Sequence, residues 1–183
     1  ETLKERFDEM EVHNRTGAPF HSSFWPAKLL WLRSEFPAAF SRAAGLLSFS
    51  DLLSLRFFGE IATSISMASG TGLFAVRRCD WYKELLKFVK VRRNMLPQVV
   101  PGDRTFRLGK KYAKRWPGLK DAEWFPTVAD GLADHVGSCG IGKQRASLMV
   151  GTSGAMRVAY AGKPPTQIPD GLWCYRVDRR RVI

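Results

Sequence analysis

The stretch SLMVGTSGAMRV, Ser147 to Val158, constrains the fold more than any other part of the chain. Apolar residues run up to a Gly-Thr-Ser-Gly turn and resume directly after it. Each arm is too short for a helix, and turns rich in Gly and Ser join antiparallel strands readily. The spacing predicts a β-hairpin. The turn also offers closely spaced backbone N–H groups and two hydroxyls, Thr152 and Ser153, between Gly151 and Gly154. Glycines at positive φ let successive N–H groups converge on an anion. An ordinary hairpin turn and a phosphate cradle are both open readings at this point.

Upstream the apolar residues switch to helical spacing. In AKLLWLRSEF, Leu29, Leu30, Leu32 and Phe36 follow Pro26. PAAFSRAAG starts at Pro37 and stops at Gly45. Ser50 is the expected N-cap of DLLSLRFF, with Asp51 in its first turn and Gly59 just past its end. Asp80 is the expected cap of WYKELLKFVK, in which Trp81, Leu85 and Phe88 share a face. KKYAKRW makes a further short helix before Pro117. EWFPTVAD reads as a short strand, with Pro126 confining it to a strand start or an edge. Helices, a strand, a short Gly-bounded helix and a hairpin, in that order, make an α/β chain with a domain junction near residues 137–145.

Composition sets outer limits. With 45% hydrophobic residues over 183 positions, the chain can bury a core and escapes wholesale disorder. No apolar run approaches the roughly 20 residues of a membrane span. The charged start ETLKERFDEMEVHNR does not read as a signal peptide, and a first residue of Glu1 rather than Met suggests a processed chain or a segment of a longer one. The cysteines Cys79, Cys139 and Cys174 are odd in number and lack CxxC spacing, so neither a disulfide framework nor a zinc site is indicated; a reducing cytoplasm fits.

The net charge is +12, and from Lys87 to Arg115 there are ten Lys or Arg and one acid, Asp103. Such a field attracts nucleic acid, anionic membrane or phosphorylated metabolites. The basic residues nevertheless straddle the break LPQVVPGD, as a solvated face would. A nucleic-acid binder also needs aromatic platforms, whereas Phe88, Phe106, Tyr112 and Trp116 read as packing residues. The charge alone leaves a solvated face and a basic nucleic-acid-binding module both open, with the solvated face the simpler reading.

Asp130 ends the expected strand and is followed by Gly131. A carboxylate at a strand end of an α/β sheet faces the crevice where ligands bind, and can take a proton from a substrate hydroxyl. Gly131 would permit close approach. The alternative is an Asp that caps the helix starting at Gly131. GSCGIGKQ, Gly137 to Gln144, imitates a P-loop but has Gln144 where Mg²⁺ needs a Ser or Thr hydroxyl, and a strand-like run follows it instead of a helix. GTGLFA at Gly70 is a thin echo of a dinucleotide fingerprint. His13, His21 and His135 are scattered and have no metal spacing. His21 lies in GAPFHSSFWPAK, a polar and aromatic loop that suits either a sugar or packing on the core.

Four segments in order, RTGAPFHSSFWPAKLLWLR, SMASGTGLF, WFPTVADG and VGTSGAMRV, closely resemble the FGGY carbohydrate kinases, most of all gluconate kinases and their relatives. The similarity runs over almost the whole chain. It implies an actin-like, ribonuclease-H-like ATPase fold of two α/β domains around a cleft. Residues 1–138 would be the second half of the N-terminal, sugar-binding domain, and residues 139–183 the first part of the C-terminal, ATP-binding domain. The resemblance makes Asp130 the catalytic base, with Gly131 beside it in the substrate site. Gly151, Thr152, Ser153 and Gly154 become a phosphate loop for ATP with Mg²⁺, and His21 and Ser23 belong to a sugar-contacting segment. The partner it implies is a small-molecule sugar or sugar acid, with no nucleic acid and no membrane; a homodimer is compatible with it, and a non-catalytic relative of these kinases is the alternative.

Several positions depart from the family pattern. Ala129 stands where Gly is usual, Asp134 and His135 where Ala or Cys and then Asn are expected, and Ser64 where an acid is common. These changes bear on which sugar is used. The family's Asp-x-Gly-Thr motif and its glycine-rich adenosine loop have no match in the 183 residues, so the segment by itself is expected neither to bind ATP tightly nor to turn over.

Overall fold

The structure is a computed structural model that describes residues 2–183. The first half is mainly helical: α1 (Leu3–Arg6), α2 (Glu9–Thr16), α3 (Trp25–Glu35), α4 (Pro37–Arg42) and α5 (Phe49–Phe58). Then come β1 (Ala62–Ser64), α6 (Ile65–Ser69), β2 (Phe74–Ala75), β3 (Asp80–Trp81), α7 (Lys83–Phe88) and β4 (Gln98–Val100). Strands β1 and β4 pair in parallel, and β2 and β3 pair antiparallel. Helices α8 (Lys110–Arg115) and α9 (Asp130–Gly137) precede β5 (Ser147–Val150) and β6 (Gly154–Arg157), the expected hairpin, with Leu148 opposite Met156 and Val150 opposite Gly154. Finally β7 (Tyr160–Ala161) pairs antiparallel with β8 (Arg181–Val182).

Local signals account for the helix ends. Asp8 caps α2 by accepting from the Glu11 N–H, and Gly17 closes it at φ +76°. α3 starts with Pro at its first turn and α5 stops at Gly59 in the left-handed region. The cap of α5 is Ser48, not Ser50. Ser48 and Asp51 form a reciprocal capping box, in which the hydroxyl takes the Asp51 N–H and the carboxylate takes the Ser48 N–H. The box outcompetes a cap two residues later because it satisfies two orphan N–H groups at once.

Two other expectations fail for tertiary reasons. Asp80 does not cap α7. Phe74 and Trp81 are paired across β2 and β3, which draws residues 80–81 into a strand and delays the helix to Lys83, with Tyr82 as its cap. The stretch EWFPTVAD forms no strand beyond a single bridge from Trp124 to Phe106. Its backbone groups are taken by side chains instead: the Ser64 hydroxyl donates to the Thr127 carbonyl at 2.6 Å, and the Ala129 N–H donates to the Ser66 hydroxyl at 3.3 Å.

The main core joins α2, α3, α6, α7 and the β2–β3 pair around Leu73, Phe74, Val76, Leu85 and Val89, each fully buried. The C-terminal residues return across this core as a strap. The Cys174 N–H donates to the Gly17 carbonyl at 3.0 Å, the Ile168 N–H to Asn14 Oδ1 at 2.7 Å, and His13 Nε2 lies 2.8 Å from the Leu172 carbonyl. Buried Arg176 donates through Nε to the Val76 carbonyl, and its N–H donates to the Ser69 hydroxyl. A side chain at Gly17 would overlap the Cys174 carbonyl, so only glycine lets the strap close.

Candidate active site

The segment before α9 is set by α6. Ser64 caps that helix by accepting from the Met67 N–H and also donates to Thr127, while Ser66 receives the Ala129 N–H. Asp130 is therefore delivered at a fixed point, as the first residue of α9. It is not the N-cap; that position belongs to Ala129, whose carbonyl accepts the first helical bonds from Leu132 and Ala133. Asp130 is exposed. Its Oδ1 accepts from the Gly131 N–H at 2.7 Å, and Oδ2 has no partner among the described residues. A carboxylate with one oxygen held and one free can accept a proton from a hydroxyl that approaches the free oxygen.

The hairpin is clasped to this helix by His135, which is fully buried. Its Nε2 accepts the Ala159 N–H at 3.1 Å, which fixes the proton on Nδ1, and Nδ1 donates to the Ser147 hydroxyl at 2.6 Å. A Cβ at Gly140 would press on the imidazole at 2.6 Å, so the glycine makes room for the ring. A second tie runs from Arg157 on β6 to Asp134 on α9, 3.4 Å apart. Neither the clasp nor Arg157 is visible in the sequence as a site feature. His135 and Asp134 stand out there only as departures from a pattern.

The turn between β5 and β6 closes with the Gly151 N–H donating to the Ser153 carbonyl at 3.0 Å. Neither Gly151 nor Gly154 takes positive φ, so the expected convergent nest does not form. The three-residue connection is closed by its own hydrogen bond and needs no left-handed residue. Thr152 and Ser153 are exposed, and their N–H and hydroxyl groups have no partner among the described residues. A Cβ at Gly151 or Gly154 would find only ordinary contacts, at 3.8 and 3.7 Å. The fold therefore does not require glycine at either place.

His21 and Ser23 are exposed in the loop before α3. His21 Nδ1 lies 2.8 Å from the Ser23 hydroxyl and accepts the Ser23 N–H at 3.2 Å, which puts the ring proton on Nε2, away from both. His21 lines an open cavity of about 870 Å³ with Phe20, Leu30, Trp31 and Glu35. No residue of α9 or of the hairpin lines it. The structure thus ties α9, which Asp130 and Gly131 open, to the base of the hairpin that carries Gly151–Gly154, and holds His21 and Ser23 on a surface that no residue of α9 lines.

Three of the ten basic residues of the stretch are in ion pairs. Arg93 pairs with Asp80, Arg104 with Glu60 and Arg107 with Glu123. Phe106 is buried, Phe88 packs edge-on against Phe7, and Tyr112 and Trp116 pack on Phe57. The P-loop imitation leads into β5, not into a helix. Among the described residues no helix is long and apolar enough to cross a membrane, and no three His, Cys, Asp or Glu residues cluster as a metal site.

Residues 1–137 match the N-terminal domain of the FGGY family of carbohydrate kinases. The chain belongs to this family. It is 28% identical over 183 residues to the gluconokinase of Bacillus subtilis (strain 168), an alignment that covers 99% of this chain and 36% of that protein. Two solved structures from Lactobacillus acidophilus are similar at 27% identity, each match covering 98% of this chain and 36% of the other. One is a ligand-bound xylulose kinase, with a TM-score of 0.89, and the other a gluconate kinase, with a TM-score of 0.87. The chain thus has the α/β, actin-like fold of FGGY kinases in part, and spans 36% of the length of these relatives.

Proposed function

We propose that this chain is part of an ATP-dependent kinase for a sugar or sugar acid, with gluconate as the first choice and xylulose-like polyols next. The observation that carries the reading is the free oxygen of Asp130 at the head of a helix clasped to the base of a hairpin whose turn carries unpaired N–H and hydroxyl groups. Asp130 Oδ2 accepts the proton of a substrate hydroxyl as its oxygen attacks the γ-phosphorus. The new O–P bond forms as the bond to the β–γ bridging oxygen breaks, and ADP departs. An ordinary carboxylate is a weak base, but it suffices when the hydroxyl gives up its proton late, as in a loose phosphoryl transfer. The Thr152 and Ser153 N–H and hydroxyl groups hold phosphate oxygens. Mg²⁺ enters on the triphosphate, since it prefers phosphate and water oxygens to an all-protein cage.

In this reading residues 1–138 belong to the sugar-binding domain, and residues 139–183 begin the nucleotide-binding domain. His21 and Ser23, on a surface apart from α9, take no part in the transfer itself, and the three free cysteines fit a reducing cytoplasm. Gluconate is favoured by the net charge of +12 and by similarity to a gluconokinase over 99% of the chain. The test is a sugar-dependent ADP-release assay on the gene product that carries these residues, with gluconate and xylulose as substrates. Turnover on the order of 1–100 s⁻¹ with one of them is expected. ATP consumption that no polyhydroxylated substrate stimulates would contradict the proposal.

A further inference from the structure

We propose that Arg157 selects a substrate bearing a carboxylate, so that the site takes a sugar acid in preference to the matching neutral polyol. The inference rests on the kinase reading above and deepens it. Arg157 leaves β6 three residues beyond the Gly151–Gly154 turn, and its side chain is 23% exposed. Its one hydrogen bond among the described residues runs from Nη1 to Asp134 Oδ2, at a loose 3.4 Å. Nε and Nη2, the two parallel donors that make a bidentate fork with a carboxylate, have no acceptor.

Those two atoms stand over the first turn of α9. A Cβ built on Gly131 would lie 2.9 Å from Nη2 and 3.0 Å from Nε. Any larger residue at position 131 would push the guanidinium away. The missing side chain thus leaves room for a half-buried cation over Gly131, the next residue in the chain after Asp130, the group assigned as base. A half-buried guanidinium with one loose partner has donors to satisfy, and a carboxylate can take both arms of the fork at once, a bidentate pair that a single hydroxyl cannot make. The transferring phosphate has its own donors at Thr152 and Ser153, at the tip of the hairpin. Arg157 lies farther down the strand, on the side of Asp130, where the phosphoryl acceptor binds.

The test uses the gene product that carries this chain and measures calorimetric binding of gluconate and of glucitol, the corresponding neutral alditol, without nucleotide. The wild type should prefer gluconate. Arg157→Met keeps the stem and removes the fork, and should lower the preference for acid over alditol about 10- to 100-fold. Arg157→Lys keeps a point charge without the planar fork and should recover only part of it. A wild type that binds glucitol as well as gluconate overturns the inference and leaves the kinase reading standing. So does an Arg157→Met variant that weakens both ligands equally, which would mark the residue as a support for the hairpin. Failure of the wild type to bind either ligand overturns both readings.

Discussion

The core around Phe74 and the hairpin around Gly151 are built on opposite terms. In the core, Leu73, Phe74, Val76, Leu85 and Val89 are fully buried, and a C-terminal strap closes over them. In the hairpin, Leu148, Val150 and Met156 are 72–78% exposed, and its attachment to the molecule depends on His135 and Arg157. Burial dictates residue types in the first region. In the second, the fold leaves Gly151, Thr152, Ser153 and Gly154 almost unconstrained, so their identities are available to a ligand.

The largest effect expected from this contrast is on the core. Phe74→Ala should cost about 3–5 kcal/mol of stability, seen as a fall in the denaturant midpoint. A loss below about 1 kcal/mol would mean that the core is not where the fold is held. His135→Ala comes next. It leaves the Ser147 hydroxyl and the Ala159 N–H without their buried partner, at about 1–3 kcal/mol for each group. The loss should be local: amides of residues 147–160 should exchange faster while those of α7 keep their protection. Uniform loss of protection would erase the distinction between the regions.

Gly151→Ala separates fold from ligand. Stability should change by no more than about 0.5 kcal/mol, because the added methyl meets only ordinary contacts. In the full gene product the KM for ATP should rise about tenfold through lost close approach, with sugar binding retained. An unchanged ATP dependence would count against the phosphate loop. The smallest effect is expected at Leu148→Ala, within about 0.5 kcal/mol, since that side chain is already 72% exposed. A large loss there would show that the face is covered in the folded protein under assay.

Where structure follows from neighbouring residues, the sequence was informative. Gly59 and Pro117 mark the ends of α5 and α8, and the glycine-flanked turn foretold β5 and β6. Where distant groups decide, it was not. Asp80 and Trp81 form a strand because Phe74 lies opposite, and the Thr127 carbonyl and Ala129 N–H are taken by Ser64 and Ser66, more than sixty positions away. The same division runs through the site. Asp130 and the Gly-Thr-Ser-Gly turn could be picked out in the chain. Arg157 could not, because only the register of β6 and the bare Cα of Gly131 bring its guanidinium to α9.

The most direct test of the phosphoryl-transfer site is Asp130→Asn in the gene product that carries this chain, with kcat and the Kd for sugar measured together. The replacement keeps the shape and the acceptor for the Gly131 N–H but removes the base. The kcat of the variant should fall about 10²- to 10⁴-fold, with sugar affinity largely retained. Wild-type kcat in the variant would contradict the role of Asp130 as base.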